Sequence, residues 1–264
     1  MTPYHVWPLP CGNAEMDDIA ISVDVEWAHP EILADVVELL DERGLHATFF
    51  CTHEGIDVPG HERALHPNFR RSRNPSALEV PPDATDRDFY AGILSRCHSF
   101  CPEAIGVRAH SLISDSELLH VYGYAGLQYD SSYMLPLARG LEPAWRGDGI
   151  LELPIYYMDH WDLREQATQF NLGALDMAAP GLKVFDFHPN LIFMNAAVES
   201  DYLEMRPHFH DPDWLRNNRR AGRGARSMFI DLLDSVNPQR ASFTLADVNA
   251  RWRAQRALNV KVAG

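Results

Sequence analysis

The strongest constraint on the fold is a repeated order of short apolar segments and amphipathic helical segments. An apolar run at 19–25 precedes a helical pattern that opens at Pro30, and a second apolar run follows at 47–51. The order continues less regularly, with further apolar segments at 62–66, 104–107, 127–129, 150–155 and 182–187. Strands that alternate with helices are typical of parallel β/α units, because a parallel connection needs a crossover. We therefore expect an α/β fold with a parallel sheet.

Polar side chains directly follow almost every one of these apolar segments. They are Asp24, Glu26, His53, His66, Arg108, His110, Asp130, Asp159, His160 and His188. In β/α barrels the carboxyl ends of the strands meet at one face, and functional sites are built there. Residues that are scattered along the chain are therefore predicted to gather in one polar site.

The first strand ends in two carboxylates. Asp24 and Glu26 are two residues apart, so their side chains share one face of the strand. Neighbouring carboxylates repel each other unless a cation or a shared proton lies between them. With several histidines at the same end, the pattern favours a divalent metal, with one carboxylate as its ligand and the other as a base. The alternative is an ordinary strand-end pair that faces solvent.

The tripeptide His-Pro-Asn occurs twice, at His66 and at His188, and each copy follows an apolar segment. Either imidazole suits a metal ligand or a general acid. Each could instead be a loop histidine that hydrogen-bonds to the backbone.

Composition excludes several classes of protein. The 264 residues are 46% hydrophobic and 23% charged, which is typical of a globular chain. The net charge of −14 argues against nucleic acid as a partner. We find no G-x-S-x-G, P-loop or G-x-G-x-x-G motif, so serine-hydrolase and nucleotide sites have no support. No apolar run is long enough for a transmembrane helix, and no secretory signal is visible, so we expect a cytoplasmic protein.

No linker or repeat divides the chain, and we expect one domain over 1–264. The segment from Arg216 to Arg226 contains five arginines and two glycines. We interpret it as a mobile, solvated basic loop. The alternative is a loop that closes over an anionic substrate.

Taken in order, the motifs resemble the polysaccharide deacetylase superfamily (the NodB-homology domain, carbohydrate esterase family four). The match spans about 19–195. Its pieces are Ser-Val-Asp-Val-Glu at 22–26, Ala-Thr-Phe-Phe at 47–50, Gly-His-Glu at 60–62, Gly-Val-Arg-Ala-His at 106–110, Tyr-Asp-Ser-Ser at 129–132, Leu-Glu-Leu-Pro at 151–154 and Phe-Asp-Phe-His at 185–188. Arg-x-His-Ser-Leu, Phe-His-Pro and His-Pro-Asn-Phe most resemble its bacterial WbmS-like branch, which is tied to surface-polysaccharide gene clusters.

The resemblance implies a distorted (β/α)7 barrel over about 19–195, which leaves a C-terminal helical extension over about 196–264. It implies metal-dependent removal of an acetyl group from an acylated sugar, with zinc as the expected metal and a carbohydrate as the substrate. It also implies roles for individual residues. These are Asp24 as general base, Glu26 as metal carboxylate, His66 as first metal histidine, Arg108 as the residue that orients the base, and His188 as general acid paired with Asp159.

Three departures from the family pattern bear on the metal. Arg70 stands where the second metal histidine is usual, Glu26 replaces an aspartate, and His110 stands where the arginine motif usually has proline. Either His110 or His53 replaces the lost ligand, or the metal is lost. We favour replacement, with Glu26, His66 and His110 as three protein ligands, the number that a catalytic zinc needs. The alternatives are a degenerate barrel that binds a glycan or nucleotide sugar, and a cyclic-amide hydrolase similar to allantoinase. The oligomeric state is left open.

Overall fold

The computed structural model describes residues 18–70, 85–236 and 243–256. Nine strands of these residues form a single sheet. They are β1 (Ile19–Asp24), β2 (Thr48–Cys51), β3 (Glu62–Leu65), β4 (Gly106–Val107), β5 (Tyr129–Asp130), β6 (Ala144–Trp145), β7 (Leu151–Glu152), β8 (Ile155–Met158) and β9 (Lys183–Phe187).

The strand order is β6-β7-β5-β4-β3-β2-β1-β9-β8. Every pairing is parallel except that of β6 with β7. The sheet curls into a half-barrel, and an isolated parallel bridge joins Met134, beyond β5, to Ile155 of β8. The predicted α/β class with a barrel of the deacetylase type is confirmed.

Alternation along the strands separates the inside of the half-barrel from its outside. On β1, Ala20 packs in the core inside the curl, whereas Ile21 and Val23 pack against the surrounding helices. Since side chains alternate, Ser22 and Asp24 share the inner face with Ala20. The same rule places Asp186 of β9 on the inner face.

Nine helices cover the sheet within the described residues. They are α1 (Pro30–Asp41), α2 (Asp86–Phe100), α3 (Ser116–Tyr124), α4 (Asp159–Glu165), α5 (Pro189–Met194), α6 (Glu199–Met205), α7 (Pro212–Asn217), α8 (Ala225–Ser235) and α9 (Leu245–Gln255). Among the residues that the structure describes, no helix has the length and hydropathy needed to cross a bilayer.

The helix predicted after the first strand is confirmed as α1. Pro30 occupies its first turn, where a missing N–H costs nothing, and the stripe of Ile32, Val36 and Leu40 is buried. Gly44, with a φ of 62°, lies just beyond its end.

The last helix closes the end of the half-barrel opposite to the carboxyl ends of the strands. Leu245, Val248 and Trp252 of α9 are buried in the same core as Ala20. The Leu245 amide donates to Thr48 Oγ1 at 2.8 Å. The carboxyl ends of the strands therefore provide the accessible end of the half-barrel.

One predicted strand is divided in the structure. The segment at 150–155 forms β7 and then β8, with Pro154 between them. Proline has no N–H for a strand ladder, so the pairing is interrupted there.

The arginines at 216–226 are partly solvated, as predicted, with Arg216 and Arg223 exposed, but each one is also bonded to the protein. Arg216 pairs with Glu31 and Asp213, Arg220 with Asp201 and Glu204, Arg223 with Asp231, and Arg226 with Asp35. Arg219 donates to the Phe193 carbonyl at 2.6 Å and lies over the Phe193 ring. These arginines fasten the C-terminal helices to the rest of the fold, so they are not available as a substrate clamp.

Candidate active site

The polar residues predicted at the strand ends meet around one cavity of about 350 Å³ at the carboxyl end of the sheet. Asp24 is the last residue of β1, His66 directly follows β3, and His188 directly follows β9. Arg108 follows β4. The topology therefore brings together residues that are 164 positions apart, as Asp24 and His188 are.

A fully buried arginine organises the floor of the site. Arg108 Nη1 donates to Asp24 Oδ1 at 2.9 Å, to Asp186 Oδ1 at 2.5 Å and to Ser22 Oγ at 2.9 Å. Its Nε and Nη2 donate to the carbonyl and hydroxyl oxygens of Ser131, each at 2.8 Å. All of its nitrogens are thereby engaged, so Arg108 positions the neighbouring carboxylates and is not free to bind a ligand.

The two carboxylates that share Arg108 have opposite pKa shifts. Burial raises the pKa of Asp186 to about 8, in spite of the guanidinium. Burial also opposes ionisation of Asp24, but the charges of His66 and Arg108 outweigh it and lower the pKa of that carboxyl. Asp24 is therefore the ionised member of the pair, and its Oδ2 lies 3.6 Å from His66 Nε2.

Glu26 joins two of the predicted histidines. The backbone leaves β1 through positive φ angles of 49° at Glu26 and 55° at Trp27. Glu26 Oε1 lies 3.4 Å from His66 Nε2 and 3.2 Å from His110 Nε2. Burial would raise the pKa of Glu26, but hydrogen bonds from both imidazoles lower it.

This arrangement fits a divalent metal by the chemistry of its donors. Two imidazole nitrogens and carboxylate oxygens are ligands that zinc prefers. His66 Nδ1 lies 2.8 Å from the carbonyl oxygen of Arg108, and His110 Nδ1 lies 3.1 Å from Ser111 Oγ. Metal-binding histidines commonly hold their second nitrogen in this way, which orients the first. Glu26, His66 and His110 could thus hold a metal, with Asp24 beside them.

A different group of residues has the spacing of a metal site. Ligand atoms of Asp24, Asp186 and His188 all lie within 4.8 Å of one another. Arg108 already places a positive charge between the two carboxylates. A metal ion there would lie against that guanidinium, so this group is less suited to a cation than Glu26, His66 and His110.

His188 is held by a buried carboxylate. Its Nδ1 lies 2.7 Å from Asp159 Oδ1, and its backbone N–H donates to Asp159 Oδ2 at 2.8 Å. Burial alone would lower the pKa of His188, but the charge and hydrogen bond of Asp159 raise it to about 10. The imidazolium of His188 lines the same cavity as Glu26. It is suited to donate a proton.

The sequence from 21 to 206 matches the family model of the WbmS-like polysaccharide deacetylases. The chain belongs to this family. A search of curated proteins found no match.

Two solved structures are similar to this WbmS-like chain. A Bordetella bronchiseptica protein, described as a polysaccharide deacetylase involved in O-antigen biosynthesis, is 27% identical with a TM-score of 0.71, covering 83% of this chain and 91% of that one. A second, from Mycobacterium smegmatis and also described as a polysaccharide deacetylase, is 17% identical with a TM-score of 0.54, covering 95% and 93%. The second shows a shared fold alone.

Three of the polar residues predicted at strand ends lie away from the centre of this WbmS-like site. His53 Nδ1 lies 2.8 Å from Thr52 Oγ1, and its side chain lines a separate cavity beside α1. Asp130 pairs with Arg146. His160 lies at the edge of the cavity beside His188, and burial lowers its pKa to about 4. Of the two histidines considered for the second position, His110 lies beside Glu26, whereas His53 does not line this cavity.

Sequence reasoning missed Asp186, Ser22 and Asn190. Asp186 and Ser22 lie inside apolar runs, so the sequence pattern does not distinguish them from ordinary residues of a buried strand. A usable signal existed for Asp186, because it is two residues before His188 and so shares its face of the strand. Asn190 lines the cavity, is only 3% exposed, and has no hydrogen-bond partner for either side-chain polar atom among the residues that the structure describes.

Proposed function

We propose that this protein is a hydrolase that removes an acyl group, with acetyl as the simplest case, from an N-acylated sugar. One observation carries the proposal. A carboxylate that is kept ionised, Asp24, and an imidazole that is kept protonated, His188, line the same cavity, each held by a buried partner. A base and an acid of this kind are what amide hydrolysis requires.

Asp24 accepts a proton from the attacking water, and Arg108 fixes the orientation of its carboxylate. His188 donates a proton to the nitrogen of the leaving sugar amine, and Asp159 keeps its imidazole charged until then. Glu26, His66 and His110 are proposed to hold a divalent metal, with zinc favoured by the donor set. When bound, such a metal lowers the pKa of water and polarises an acyl carbonyl.

The free amide of Asn190 supports a substrate with an amide or hydroxyl group. A buried amide without a partner is unfavourable by about 1–3 kcal/mol. Its Nδ2 can donate and its Oδ1 can accept, which matches the carbonyl and N–H of an acylamino group. A role in surface-polysaccharide metabolism is supported by the description of the Bordetella bronchiseptica relative.

The test measures acetate release from a panel of N-acetylated sugars by wild-type protein and by Asp24→Asn and His188→Ala. We expect both variants to lose activity by about 100-fold or more, with circular dichroism unchanged. Asp176→Asn and His120→Ala are matched controls, since both side chains lie in exposed ion pairs outside the cavity. If the wild-type protein releases acetate and both site variants release it at the same rate, the proposal is refuted. Binding of these sugars without turnover by the wild type would favour a glycan-binding function instead.

A further inference from the structure

Two arginines line the same cavity as Asp24 and His188 and take no part in the chemistry proposed above. Arg70 lies in the segment that follows His66, and Arg164 lies on α4. Both side chains are exposed. Arg164 is four residues after His160, so the two share one face of the helix, and both line the cavity.

Their lack of partners distinguishes these arginines from the others. Throughout 18–70, 85–236 and 243–256, every other arginine except Arg206 has a side-chain ion pair, hydrogen bond or other polar contact. Arg70, Arg164 and Arg206 have none in the same residues. Arg206 is also exposed but does not line the cavity.

The charge of the whole molecule makes this pair informative. A chain with a net charge of −14 repels anions, and Asp24 and Glu26 place two carboxylates in this cavity. Two guanidinium groups left without acidic partners supply positive charge at the same place. Guanidinium groups bind carboxylates and phosphates strongly, because their N–H groups match two oxygens at once.

We propose that Arg70 and Arg164 bind an anionic group of the substrate, so that the substrate is an acylated sugar that carries an oxyanion. The inference rests on the proposed function and narrows its substrate class. The shared chemistry is a carboxylate or phosphate oxyanion. It could belong to the sugar itself, as in an N-acetylated uronic acid, or to an attached nucleoside diphosphate, as in a nucleotide sugar.

Tyr202, Phe209 and Leu191 also line this cavity. Aromatic and aliphatic side chains of this kind suit the apolar face of a sugar ring. The cavity therefore offers an apolar wall for the ring, the unpartnered amide of Asn190 and the two guanidinium groups. Each of these complements a different part of an acylated, anionic sugar.

The experiment compares three substrates: N-acetylglucosamine, its uronic acid, and its uridine diphosphate conjugate. For each one, kcat/KM is measured with wild-type protein, with the double variant Arg70→Ala/Arg164→Ala, and with Arg206→Ala. We expect wild-type protein to prefer one of the anionic sugars, and the better of the two identifies the source of the oxyanion. The double variant should lower the ratio of anionic to neutral kcat/KM by about 10- to 100-fold, since each charged hydrogen bond contributes roughly tenfold. Arg206→Ala should leave the ratio unchanged.

Binding separates this inference from the proposed function. The Asp24→Asn variant, with and without the arginine substitutions, is titrated with the same sugars by calorimetry. Arginine-dependent binding of an anionic sugar without acetate release from wild-type protein would support the anion site and refute the hydrolase. Equal kcat/KM for neutral and anionic sugars, or a ratio that the double variant does not change, would refute the anion site alone.

Discussion

At the residue scale, the contact between Asp159 and His188 determines how the site should respond to pH. Asp159 raises the pKa of His188 to about 10, and the charges of Asp186 and Asp24 act in the same direction. The imidazole is therefore protonated at neutral pH and loses its proton only as the pH rises through about 10. In Asp159→Asn the main attraction is gone and burial favours the neutral ring. We expect kcat/KM at pH 8 to fall by about 100-fold, with the basic limb of the pH profile displaced towards neutral pH.

The pH profile of Asp176→Asn, an exposed aspartate paired with Arg139, provides the control for this substitution. It should match that of the wild type. A basic limb that stays near pH 10 in Asp159→Asn would show that the titration of another group sets it.

A substitution at Asn190 can distinguish an effect on substrate binding from an effect on the stability of the fold. Its side-chain amide has no partner among the described residues, so Asn190→Ala breaks no hydrogen bond within them. We expect kcat/KM to fall by about tenfold, with the free energy of unfolding unchanged or slightly increased. Asn249 is a matched control, since it is equally buried but bonded to Gln128 and Arg253. Asn249→Ala should lose about 1–2 kcal/mol of stability and keep its activity. If Asn190→Ala lost stability and kept its activity, while Asn249→Ala lost activity and kept its stability, the role of Asn190 would be refuted.

Much of the site could be predicted at this scale, because functional side chains of a parallel sheet follow its strands directly. Asp24, Glu26, His66 and His188 were all identified from that position. Asp186 was overlooked, although its spacing from His188 offered a signal. Its pairing with an arginine 78 residues earlier could not be predicted from a single acid between two phenylalanines. The choice between His53 and His110 also needed the structure, since both follow apolar segments.

At the scale of elements, a partly buried arginine bridges two short strands. Arg146 Nη1 donates to Asp130 Oδ2 of β5 at 2.7 Å and to Glu152 Oε2 of β7 at 2.8 Å. Burial raises the pKa of Glu152 to about 8 and that of Asp130 to about 6. Ionisation of either carboxyl is therefore unfavourable without the charge of the arginine. We expect Arg146→Met to lower the free energy of unfolding by about 3–5 kcal/mol at pH 7, as measured by urea denaturation.

Arg87 is the control for this substitution, because its pair with Glu117 is about half exposed. Arg87→Met should change the free energy of unfolding by less than about 1 kcal/mol. A comparably small change in Arg146→Met would mean that the two strands do not depend on the bridge.

The predictability of the elements follows their length and their periodicity. Helix α2 (Asp86–Phe100) has fifteen residues and a Thr85 cap, features that can be recognised in a sequence. The two-residue strand β6 (Ala144–Trp145) was missed, since both its residues are exposed and it has no apolar pattern. The short helices α5 to α7 were not predicted individually, although α6 and α7 fall in the expected helical extension. Six or seven residues give no more than two turns of periodicity.

At the scale of the whole molecule, ion pairs join segments that are far apart in the sequence. Asp35 of α1 pairs with Arg226 of α8, 191 residues later, and Glu31 of α1 pairs with Arg216 of α7. A run of like charges usually indicates a solvated segment, so the sequence favoured that interpretation. The acidic face of α1 that receives these arginines is not adjacent to them in the chain. Only the tertiary fold shows that the acidic face of α1 lies against these arginines and complements their charge.

Metal binding is the property of the whole molecule that most directly tests the site, because the ligands come from three separate segments of the sheet. We expect about one equivalent of a divalent transition metal in protein purified without added metal, measured by mass spectrometry, and a melting temperature that falls when a chelator removes it. A ligand at 100 times its dissociation constant stabilises the folded state by about 2.7 kcal/mol. His66→Ala and His110→Ala should lose both the metal and the stabilisation, whereas His53→Ala should keep both, because His53 lines a different cavity. Loss of metal in His188→Ala but not in His110→Ala would instead place the ion between Asp24, Asp186 and His188.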